Sequence, residues 1–243
     1  MRSTGRSERA AQPVAPGNSL RLRLFYRLLP AVSTHFRRRR MAKFVRTLDI
    51  RPGLRVLDLG GTPSIWQHVA VPLDITLLNL PGTVVHGMFV AMLQNPHSRQ
   101  HTIRVVEGDA CDAQFEDRSF DIVFSNSLIE HIALARQAAF ALEVVRLGHS
   151  WWVQTPSPWF PVEAHTGLPY YWFYPQWLRA SVMRCWRKKL PDWWADYIGN
   201  TRALSRQTMR ELFPTGRVMT ERFLGFPRSY VAYYCPRLDG GAK

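Results

Sequence analysis

The chain alternates between short apolar runs and longer stretches in which apolar positions recur at helical spacing. Runs rich in aliphatic and β-branched residues predict buried strands, because strands covered on both faces lack polar positions. Such runs lie in segments 55–58, 74–79, 103–110, 120–131 and 150–155. Helical spacing predicts a helix from Ala133 to Leu147, with Gly148 as its stop. Strands that alternate with helices predict an α/β protein.

The C-terminal part of the chain predicts one more helix and a hairpin. Ser205 is a suitable N-cap for a helix that continues to Phe213. Residues 218–223 and 229–234 predict two strands that are joined around Gly225. The sheet is therefore expected to end in an antiparallel pair.

The end of the first strand carries the most informative motif of the chain. Asp58 ends the strand, Gly60 and Gly61 form a tight turn, and Thr62 and Pro63 suit the first positions of a helix. Glycine lets the backbone approach a ligand closely, and a helix N-terminus provides free N–H groups. The segment therefore predicts a binding site for a cofactor that contains adenosine.

Two types of cofactor compete for this turn. A dinucleotide site needs G-x-G-x-x-G, whereas here the two glycines are adjacent and Thr62 and Ser64 occupy the later positions. Asp58 would repel a pyrophosphate but suits a ligand with a cationic end. The segment resembles motif I of the class I S-adenosylmethionine (SAM)-dependent methyltransferases, D-x-G-x-G-x-G, with Asp58 and Gly60 in place.

This resemblance implies a fold and a cofactor. The fold is a Rossmann-like, doubly wound, seven-stranded sheet with a terminal antiparallel hairpin, and the cofactor is SAM. The glycine turn then holds the cofactor through Asp58, Gly60, Gly61 and Thr62.

The next strands carry further residues that the resemblance assigns to the cofactor. Asn79 ends the second strand, 21 residues after Asp58, where the family has an acid that binds both ribose hydroxyls. Asn79 offers one acceptor and one donor group, so it is expected to hold one hydroxyl better than the other. Asp109 and Ala110 occupy the positions that meet the adenine amino group and a ring nitrogen. Asn126, in the family-like fourth segment, is also assigned to the cofactor site.

Length and cysteine content fit this architecture. A chain of 243 residues can form one α/β domain with a large core, with or without an appendage. Its three cysteines, Cys111, Cys185 and Cys235, are widely spaced and are expected to be reduced thiols in a cytoplasmic protein. The longest uncharged run, residues 75–98, contains prolines and glycines and predicts a strand, a loop and a helix instead of a membrane span.

Positive charge is concentrated at the N-terminus. Residues 1–50 contain twelve Arg or Lys against two acids, which is ten of the fourteen net positive charges. We expect a basic extension at residues 1–46, disordered over 1–19 and then helical, followed by the methyltransferase domain at 47–243. Residues 20–40 either dock on an anionic membrane or an acidic protein, or form a helix over the cofactor pocket with solvated arginines. Nucleic acid is not an expected partner, because no RNA-reading module follows the basic patch.

An aromatic insert follows the fifth strand. Eight of the nine tryptophans lie between Trp151 and Trp194, and prolines exclude regular helix from the first part of this segment. In a Rossmann-like sheet, the loop after this strand opens at the carboxyl edge, beside the transferred group. Residues 156–200 are therefore expected to form an acceptor pocket and lid, or else a small satellite core of aromatic rings. The expected substrate-binding residues are Trp159, Glu163 and Tyr170.

Two histidines are candidates for a general base. A base that removes the acceptor proton contributes about 10²–10⁴-fold to a transfer onto oxygen. His165 lies in the insert, where Glu163 could orient its ring, and bracing of the lid is the alternative role. His131 follows the fourth strand, at a position that is usually architectural or cofactor-adjacent in the family. Ligand spacing gives little support for a metal at Glu163, His165 and His131, so no metal is expected.

Together these features predict a SAM-dependent methyltransferase that acts on a small-molecule acceptor. The expected acceptor atom is a hydroxyl oxygen of a sugar, a phenol or quinone, or a lipid-like molecule. The competing hypotheses are a nucleotide-dependent oxidoreductase and a catalytically vestigial basic scaffold that binds a membrane or a partner protein. We expect a cytoplasmic protein, peripheral at the inner membrane face if residues 20–40 bind lipid.

Overall fold

The computed structural model describes residues 20–83, 100–163, 166–188 and 198–236, with side chains from residue 34 onward. The helices are α1 (Leu20–Thr47), α2 (Gln137–Leu147), α3 (Gln176–Arg187) and α4 (Arg206–Leu212). The strands are β1 (Arg55–Leu59), β2 (Asp74–Asn79), β3 (Thr102–Glu107), β4 (Phe120–Asn126), β5 (Gly148–Pro156), β6 (Arg217–Phe223) and β7 (Phe226–Tyr234). Short 3-10 helices lie at Pro63–His68, Ile129–His131, Leu134–Arg136 and Tyr171–Phe173.

The strands form one seven-stranded sheet in the order β3-β2-β1-β4-β5-β7-β6. Strands β1 to β5 pair in parallel, and β7 pairs antiparallel with both β5 and β6. The predicted doubly wound α/β sheet with a terminal antiparallel hairpin is confirmed. The strand order reverses between β1 and β4, and open α/β sheets bind ligands at the carboxyl ends of the strands on either side of such a reversal.

The central strands β1, β2, β4 and β5 are covered on both faces by apolar side chains, whereas most residues of the edge strand β3 are exposed. One layer is formed by α2, which buries Phe140, and by α4, which is followed directly by the buried Phe213. The other layer is formed by the end of α1 and the 3-10 helix after β1, which bury Phe44 and Trp66. Burial on both faces explains why the sequence of these strands reads as continuous apolar runs.

Two neighbouring tryptophans of β5 pack on opposite faces of the sheet, one in each layer. Successive strand residues point to opposite faces, so Trp151 packs on Phe213 while Trp152 packs on Phe44 and Tyr233. Trp151 and Trp152 therefore belong to the sheet core, although they begin the tryptophan-rich part of the sequence.

The chain divides into two compact units, residues 1–39 and 40–243, and the sheet belongs to the second. In the first unit, the described residues 20–39 are helical. Residues 1–19, which are predicted to be disordered, lie outside the described residues, and so does the helix predicted before β3. In the part of the chain that is described, no helix combines the length and apolarity needed to cross a bilayer.

Two predicted element ends differ from the structure. The segment after Thr62 is a 3-10 helix that begins at Pro63, and the Thr62 side chain accepts no hydrogen bond from its backbone N–H groups. The helix predicted from Ala133 begins as an α-helix only at Gln137, but it ends at Leu147 with Gly148 as its C-cap, as predicted; the φ of Gly148, −112°, is extended and this residue begins β5 directly. Nearer the other end of the chain, Ser205 is the N-cap of α4, as predicted. Its Oγ accepts a hydrogen bond from the Thr208 N–H at 3.0 Å.

The terminal hairpin is tighter than predicted. Strands β6 and β7 are joined by Leu224 and Gly225, which have φ angles of +47° and +83°. Two residues with positive φ match the right-handed twist of the strands in a two-residue hairpin. Pro227 therefore lies inside β7, opposite Arg222, where the strand register shifts.

Candidate cofactor and acceptor site

The glycine turn after β1 forms the centre of the candidate site. Gly60 has a φ of +71°, in the left-handed region that favours glycine, and its N–H donates to the Leu78 carbonyl at 2.8 Å. A Cβ at Gly60 would lie 2.7 Å from Leu128 Cδ1, on the segment that follows β4. The turn therefore connects the ends of β1 and β2, and a side chain at Gly60 would both strain the backbone and displace the Leu128 side chain.

Gly61 has a different reason for being glycine. A Cβ at Gly61 would lie 1.8 Å from Asp58 Oδ2, so any side chain there would overlap the carboxylate. Asp58 is fully buried, and its Oδ2 accepts a hydrogen bond from Trp66 Nε1 at 2.8 Å. Burial raises the pKa of Asp58 from 3.8 to about 7, although the Trp66 bond acts in the opposite direction.

The second oxygen of Asp58 is the feature that fits a cofactor. Among the described residues, Asp58 Oδ1 has no hydrogen-bond partner. A buried acceptor without a partner is unfavourable, and it lies beside backbone that carries no side chain. The arrangement fits a ligand that brings a hydrogen-bond donor or a positive charge to the glycine turn. Next to the turn, Thr62 Oγ1 lies 2.9 Å from Ser64 Oγ, so these two side chains hydrogen-bond with each other.

Asn79 shows why an amide can replace the acid expected at the end of β2. Its Nδ2 donates to the Gly61 carbonyl at 3.1 Å, a bond that a carboxylate could not make. Its own backbone carbonyl accepts the Gly108 N–H at 2.8 Å. Asn79 thus ties the glycine turn to the ends of β2 and β3, and its Oδ1 is the atom that suits a hydroxyl donor.

Asp109 is held by two partners at the end of β3. Its Oδ1 accepts the Cys111 N–H at 2.9 Å, and its Oδ2 pairs with Arg136 at 2.7 Å. Partial burial opposes ionisation, but the Cys111 N–H and the Arg136 guanidinium lower the pKa of Asp109. Ala110, its half-buried neighbour, lies in the same turn. Contact of these two residues with adenine stays a prediction.

Asn126, at the end of β4, belongs to a buried polar cluster around Arg40. The Arg40 guanidinium donates to Asn126 Oδ1 at 2.6 Å and to Gln154 Oε1 at 3.0 Å. It also donates to Glu221 Oε2 at 2.6 Å and to Ser229 Oγ at 3.2 Å, and Ser229 hydrogen-bonds with Glu221. Four strands, β4 to β7, thus contribute a partner to one guanidinium.

The charges of this cluster compensate each other. Arg40 is 5% exposed, unlike its exposed neighbours Arg38 and Arg39, so it is not one of the solvated or membrane-facing arginines that the sequence predicts. Burial alone would raise the pKa of Glu221, but the Arg40 guanidinium and the Ser229 hydroxyl lower it. Glu221 is therefore ionised and paired in the folded protein.

The segment after β4 begins with a strained residue and two polar ones. Ser127 has a φ of +60°, and its hydroxyl donates to Gln154 Oε1 at 3.1 Å. Glu130 is buried, and its Oε2 accepts the Thr155 hydroxyl at 3.1 Å. His131 Nδ1 lies 3.1 Å from Thr201 Oγ1. This contact connects the predicted base His131 to the residue that follows the insert. It favours a role for His131 in positioning the insert, in addition to the predicted role in proton transfer.

The insert after β5 contains a tight turn at Glu163. The Glu163 carboxylate accepts the Thr166 N–H at 2.5 Å, and its carbonyl accepts the Gly167 N–H at 2.9 Å. His165, one of the two predicted bases, lies outside the described residues. The predicted pairing of Glu163 with His165 therefore stays a prediction.

The two aromatic residues predicted to bind substrate lie on the outside of the insert. Trp159 packs on Phe173 with ring centroids 4.8 Å apart, and Tyr170 lies 6.4 Å from the same ring. Trp159 and Tyr170 are both exposed, whereas Tyr171 is buried and anchors the insert. Burial raises the pKa of Tyr171, even though the nearby Arg179 acts in the opposite direction.

Sequence reasoning missed Arg40, Trp66 and Arg136. A signal for Arg40 exists in the spacing, because it precedes Phe44 by four residues and so shares the helix face that packs on the sheet. The partners of Trp66 and Arg136 depend on how distant segments meet, and no local pattern predicts them.

Comparison with known proteins adds a family match. The model of a family described as a methyltransferase domain matches residues 79–149. No curated protein sequence matches the chain. The matched segment contains Asn79, Asp109 and Asn126, three of the residues that the sequence assigns to the cofactor.

Solved methyltransferase structures share the fold at low sequence identity. Phosphoethanolamine N-methyltransferase 2 of Haemonchus contortus, in complex with SAM, is 14% identical over 79% of this chain and 51% of that one, with a TM-score of 0.51. The same enzyme with phosphomonomethylethanolamine and S-adenosylhomocysteine is 17% identical over 74% and 38%, with a TM-score of 0.50. The chain thus spans about half of that enzyme's length, or less.

A bacterial protein is covered more completely. The methyltransferase domain of bacterial CtHen1 is 11% identical over 82% of this chain and 97% of that one, with a TM-score of 0.51. The chain thus shares the strand order and fold of SAM-dependent methyltransferases, and its residues 79–149 match a methyltransferase-domain family.

The buried carboxyl of Asp58 predicts an unusual pH dependence of stability. The folded state binds the Asp58 proton more tightly than the unfolded state, so this stabilisation is complete below about pH 4 and is lost as the pH rises through about 7. Relative to Asp58→Asn, which stays neutral, the wild-type free energy of unfolding should fall by up to about 4 kcal/mol across this range. Urea denaturation at a series of pH values measures the difference.

A second variant locates the titrating group. Trp66→Phe removes the hydrogen bond that lowers the pKa of Asp58, so the fall should begin at the same pH as in the wild type but continue to higher pH and be larger. A difference between wild type and Asp58→Asn that is constant with pH would contradict a buried, protonated carboxyl.

Proposed function

We propose that this chain transfers the methyl group of SAM to a hydroxyl oxygen of a small-molecule acceptor. The observation that carries the proposal is the buried Asp58 oxygen without a described partner, beside two glycines that admit no side chain. When bound, SAM supplies an electrophilic methyl group on a sulfonium centre. The chain must hold this cation, orient the acceptor oxygen and remove its proton.

The cofactor-binding role falls to residues around the glycine turn. Asp58 offers a carboxylate oxygen to the cationic end of SAM, and contact with that charge lowers the pKa of Asp58. Gly60 and Gly61 allow the cofactor to lie against the backbone, and Thr62 borders the turn. Asn79 Oδ1 accepts one ribose hydroxyl, since its Nδ2 is already bonded to the Gly61 carbonyl.

The adenine-binding role falls to Asp109 and Ala110. Asp109 can accept the adenine amino group beside its pairing with Arg136, because a carboxylate has about four acceptor sites. The backbone N–H of Ala110 suits a ring nitrogen. Asn126 contributes through its Nδ2, because its Oδ1 is bonded to Arg40.

The acceptor-binding role falls to the insert at residues 156–200. Its residues Trp159, Glu163 and Tyr170 follow the carboxyl end of β5, the edge at which open α/β sheets bind ligands. His165 is the proposed general base, and His131 is the second candidate. Holding the acceptor in an aligned position removes much of the entropy cost of bringing two reactants together.

The structural neighbour with a phosphoethanolamine substrate supports a small-molecule acceptor. Its name states that it methylates nitrogen, so a nitrogen acceptor is the main competing chemistry. A nucleotide-dependent oxidoreductase and a vestigial scaffold are the two functions that would not require SAM. Binding of S-adenosylhomocysteine distinguishes a methyltransferase from these two, and turnover measurements distinguish oxygen from nitrogen as the acceptor atom.

Calorimetry with S-adenosylhomocysteine tests the cofactor site. Wild type should bind, and Gly60→Val should show no detectable heat, because the side chain meets Leu128 and the turn needs a positive φ. The matched control is Gly53→Val, where φ is +81° and no atom lies within 4 Å of a Cβ. The control carries a similar backbone strain but should retain binding.

Two outcomes would contradict the cofactor assignment. Binding of NAD without S-adenosylhomocysteine would favour the oxidoreductase. Equal loss of binding in Gly53→Val and Gly60→Val would mean that backbone strain, and not the turn, is responsible.

Turnover measurements test the general base. With radiolabelled SAM and a panel of hydroxyl acceptors, His165→Ala should lower kcat about tenfold or more with little change in SAM affinity, and high pH should restore part of the rate. His149→Ala is the matched control, because His149 is exposed at the start of β5. Full activity of His165→Ala would point to His131, or to an acceptor that needs no base.

The basic segment 20–40 is proposed to contact an anionic membrane or an acidic protein. Deleting residues 1–36 keeps Arg40 and removes most of the segment. Binding of the full chain to anionic vesicles should fall steeply with salt, because exposed charges are screened within about 8 Å at physiological ionic strength. The deletion should remove this salt-sensitive part, and sedimentation with vesicles measures it. Unchanged binding after the deletion would contradict the contact.

A further inference from the structure

An exposed aromatic surface extends over the insert and the tip of the β6–β7 hairpin. The rings of Trp159 and Phe173 lie 4.8 Å apart, and the rings of Phe160 and Phe223 lie 6.4 Å apart. Because Trp159 and Phe160 are adjacent, these contacts join the insert to the hairpin. The aromatic surface consists of Trp159, Phe160, Tyr170, Phe173, Phe223, Leu224 and Phe226.

The backbone beneath this surface is fixed while its side chains face outward. The Trp159 N–H donates to Ser157 Oγ at 3.2 Å, and Ser157 Oγ donates to the Tyr230 hydroxyl of β7 at 3.0 Å. Leu224 is nevertheless 81% exposed, and Trp159 is 55% exposed. A contiguous apolar surface held open in this way marks a site for a protein or a membrane.

The described parts of the insert and of the hairpin tip are rich in cations. Trp177, Arg184 and Lys188 lie seven and eleven residues apart in and just after α3, so they share one exposed face. Arg222 and Arg228 flank the hairpin tip. Over residues 157–163, 166–188 and 222–228, six Arg or Lys stand against a single acid, which is buried.

We propose that the aromatic surface docks on an anionic lipid bilayer. Trp and Tyr rings suit the headgroup level, Phe and Leu side chains suit the acyl boundary, and flanking cations suit lipid phosphates. A second copy of the chain fits poorly, because two such surfaces would oppose cation to cation. The contact is distinct from that of residues 20–40, because it depends on buried apolar area and so persists at high salt.

Docking in this orientation places the insert against the bilayer. The insert is the segment proposed to hold the acceptor, so a hydrophobic acceptor could enter from the membrane. This consequence rests on the proposed function, but the docking itself does not. The test needs neither SAM nor an acceptor, so its failure is distinguishable from failure of the methyl transfer.

Vesicle sedimentation of the full chain tests the surface. With vesicles of phosphatidylcholine and phosphatidylglycerol, we expect binding that is partly retained at high salt. The pairs Leu224→Ser with Phe226→Ser, and Trp159→Ser with Phe173→Ser, should each weaken the retained binding about tenfold. The matched control pair is Leu134→Ser with Leu142→Ser, which replaces leucines of similar exposure on and before α2 and should leave binding unchanged.

A fluorescent label at the hairpin tip tests the same contact with the aromatic rings intact. In a Cys185→Ser background, which removes the exposed thiol, a polarity-sensitive dye at Leu224→Cys should shift to the blue with anionic vesicles, whereas a dye at Leu142→Cys should not. Unshifted emission at position 224, with normal vesicle binding by both serine pairs, would overturn the proposal. So would a dimer, seen by sedimentation velocity without lipid, that the Leu224→Ser and Phe226→Ser pair dissociates.

Discussion

The buried carboxyl group of Asp58 sets the constraint on which the rest of the candidate cofactor site depends. Its Oδ2 occupies the space that a side chain at Gly61 would need, so the turn must pass over it as bare backbone. Trp66 supplies the described hydrogen bond to this oxygen, which holds the 3-10 helix against the end of β1. Asn79 then fastens the Gly61 carbonyl from the neighbouring strand. The open backbone of the turn follows from accommodating this one acid.

Two acidic side chains near the carboxyl edge of the sheet lie in environments that shift their pKa values in opposite directions. Asp58 has no described cationic partner, so burial raises its pKa and one oxygen stays available. Glu221 is bonded to the Arg40 guanidinium, which lowers its pKa. The first environment favours an incoming cation or donor, and the second is already neutralised. This contrast supports Asp58 as a ligand-binding group and Glu221 as a group that holds four strands together.

The central strands could be predicted because burial on both faces leaves runs of mostly aliphatic and β-branched residues, as in Ile75 to Leu78. The hairpin could be predicted only in part, because Gly225 marks the turn but Leu224 beside it also adopts a positive φ. Local sequence patterns could not predict the contacts between segments that are distant in the chain. Arg40 and Glu221 are 181 positions apart, and only the folded sheet brings them together.

Residue type indicated more about the cofactor site than about the acceptor site. A glycine turn needs backbone conformations that only a few residues adopt, so the role of Gly60 can be inferred from one sequence. Histidines and aromatic rings serve many purposes, and the structure gives Trp151 and Trp152 to the sheet core while Trp159 lies outside. The cofactor-binding and acceptor-binding assignments both remain predictions, and the cofactor-binding ones have the stronger basis in residue type.

The position of Arg40 has a consequence for where translation could begin. The next residue is Met41, so a polypeptide started at that codon would keep all seven strands and the apolar contacts of Phe44. It would lack the cation that neutralises Glu221. Glu221 is 17% exposed and keeps the Ser229 hydroxyl as a donor, so the loss of the cation costs at most the roughly 3–5 kcal/mol of a fully buried pair, which is still a large part of the stability of a typical domain. A polypeptide that starts at Met41 would thus be less stable than the full chain, even though it contains every strand of the sheet.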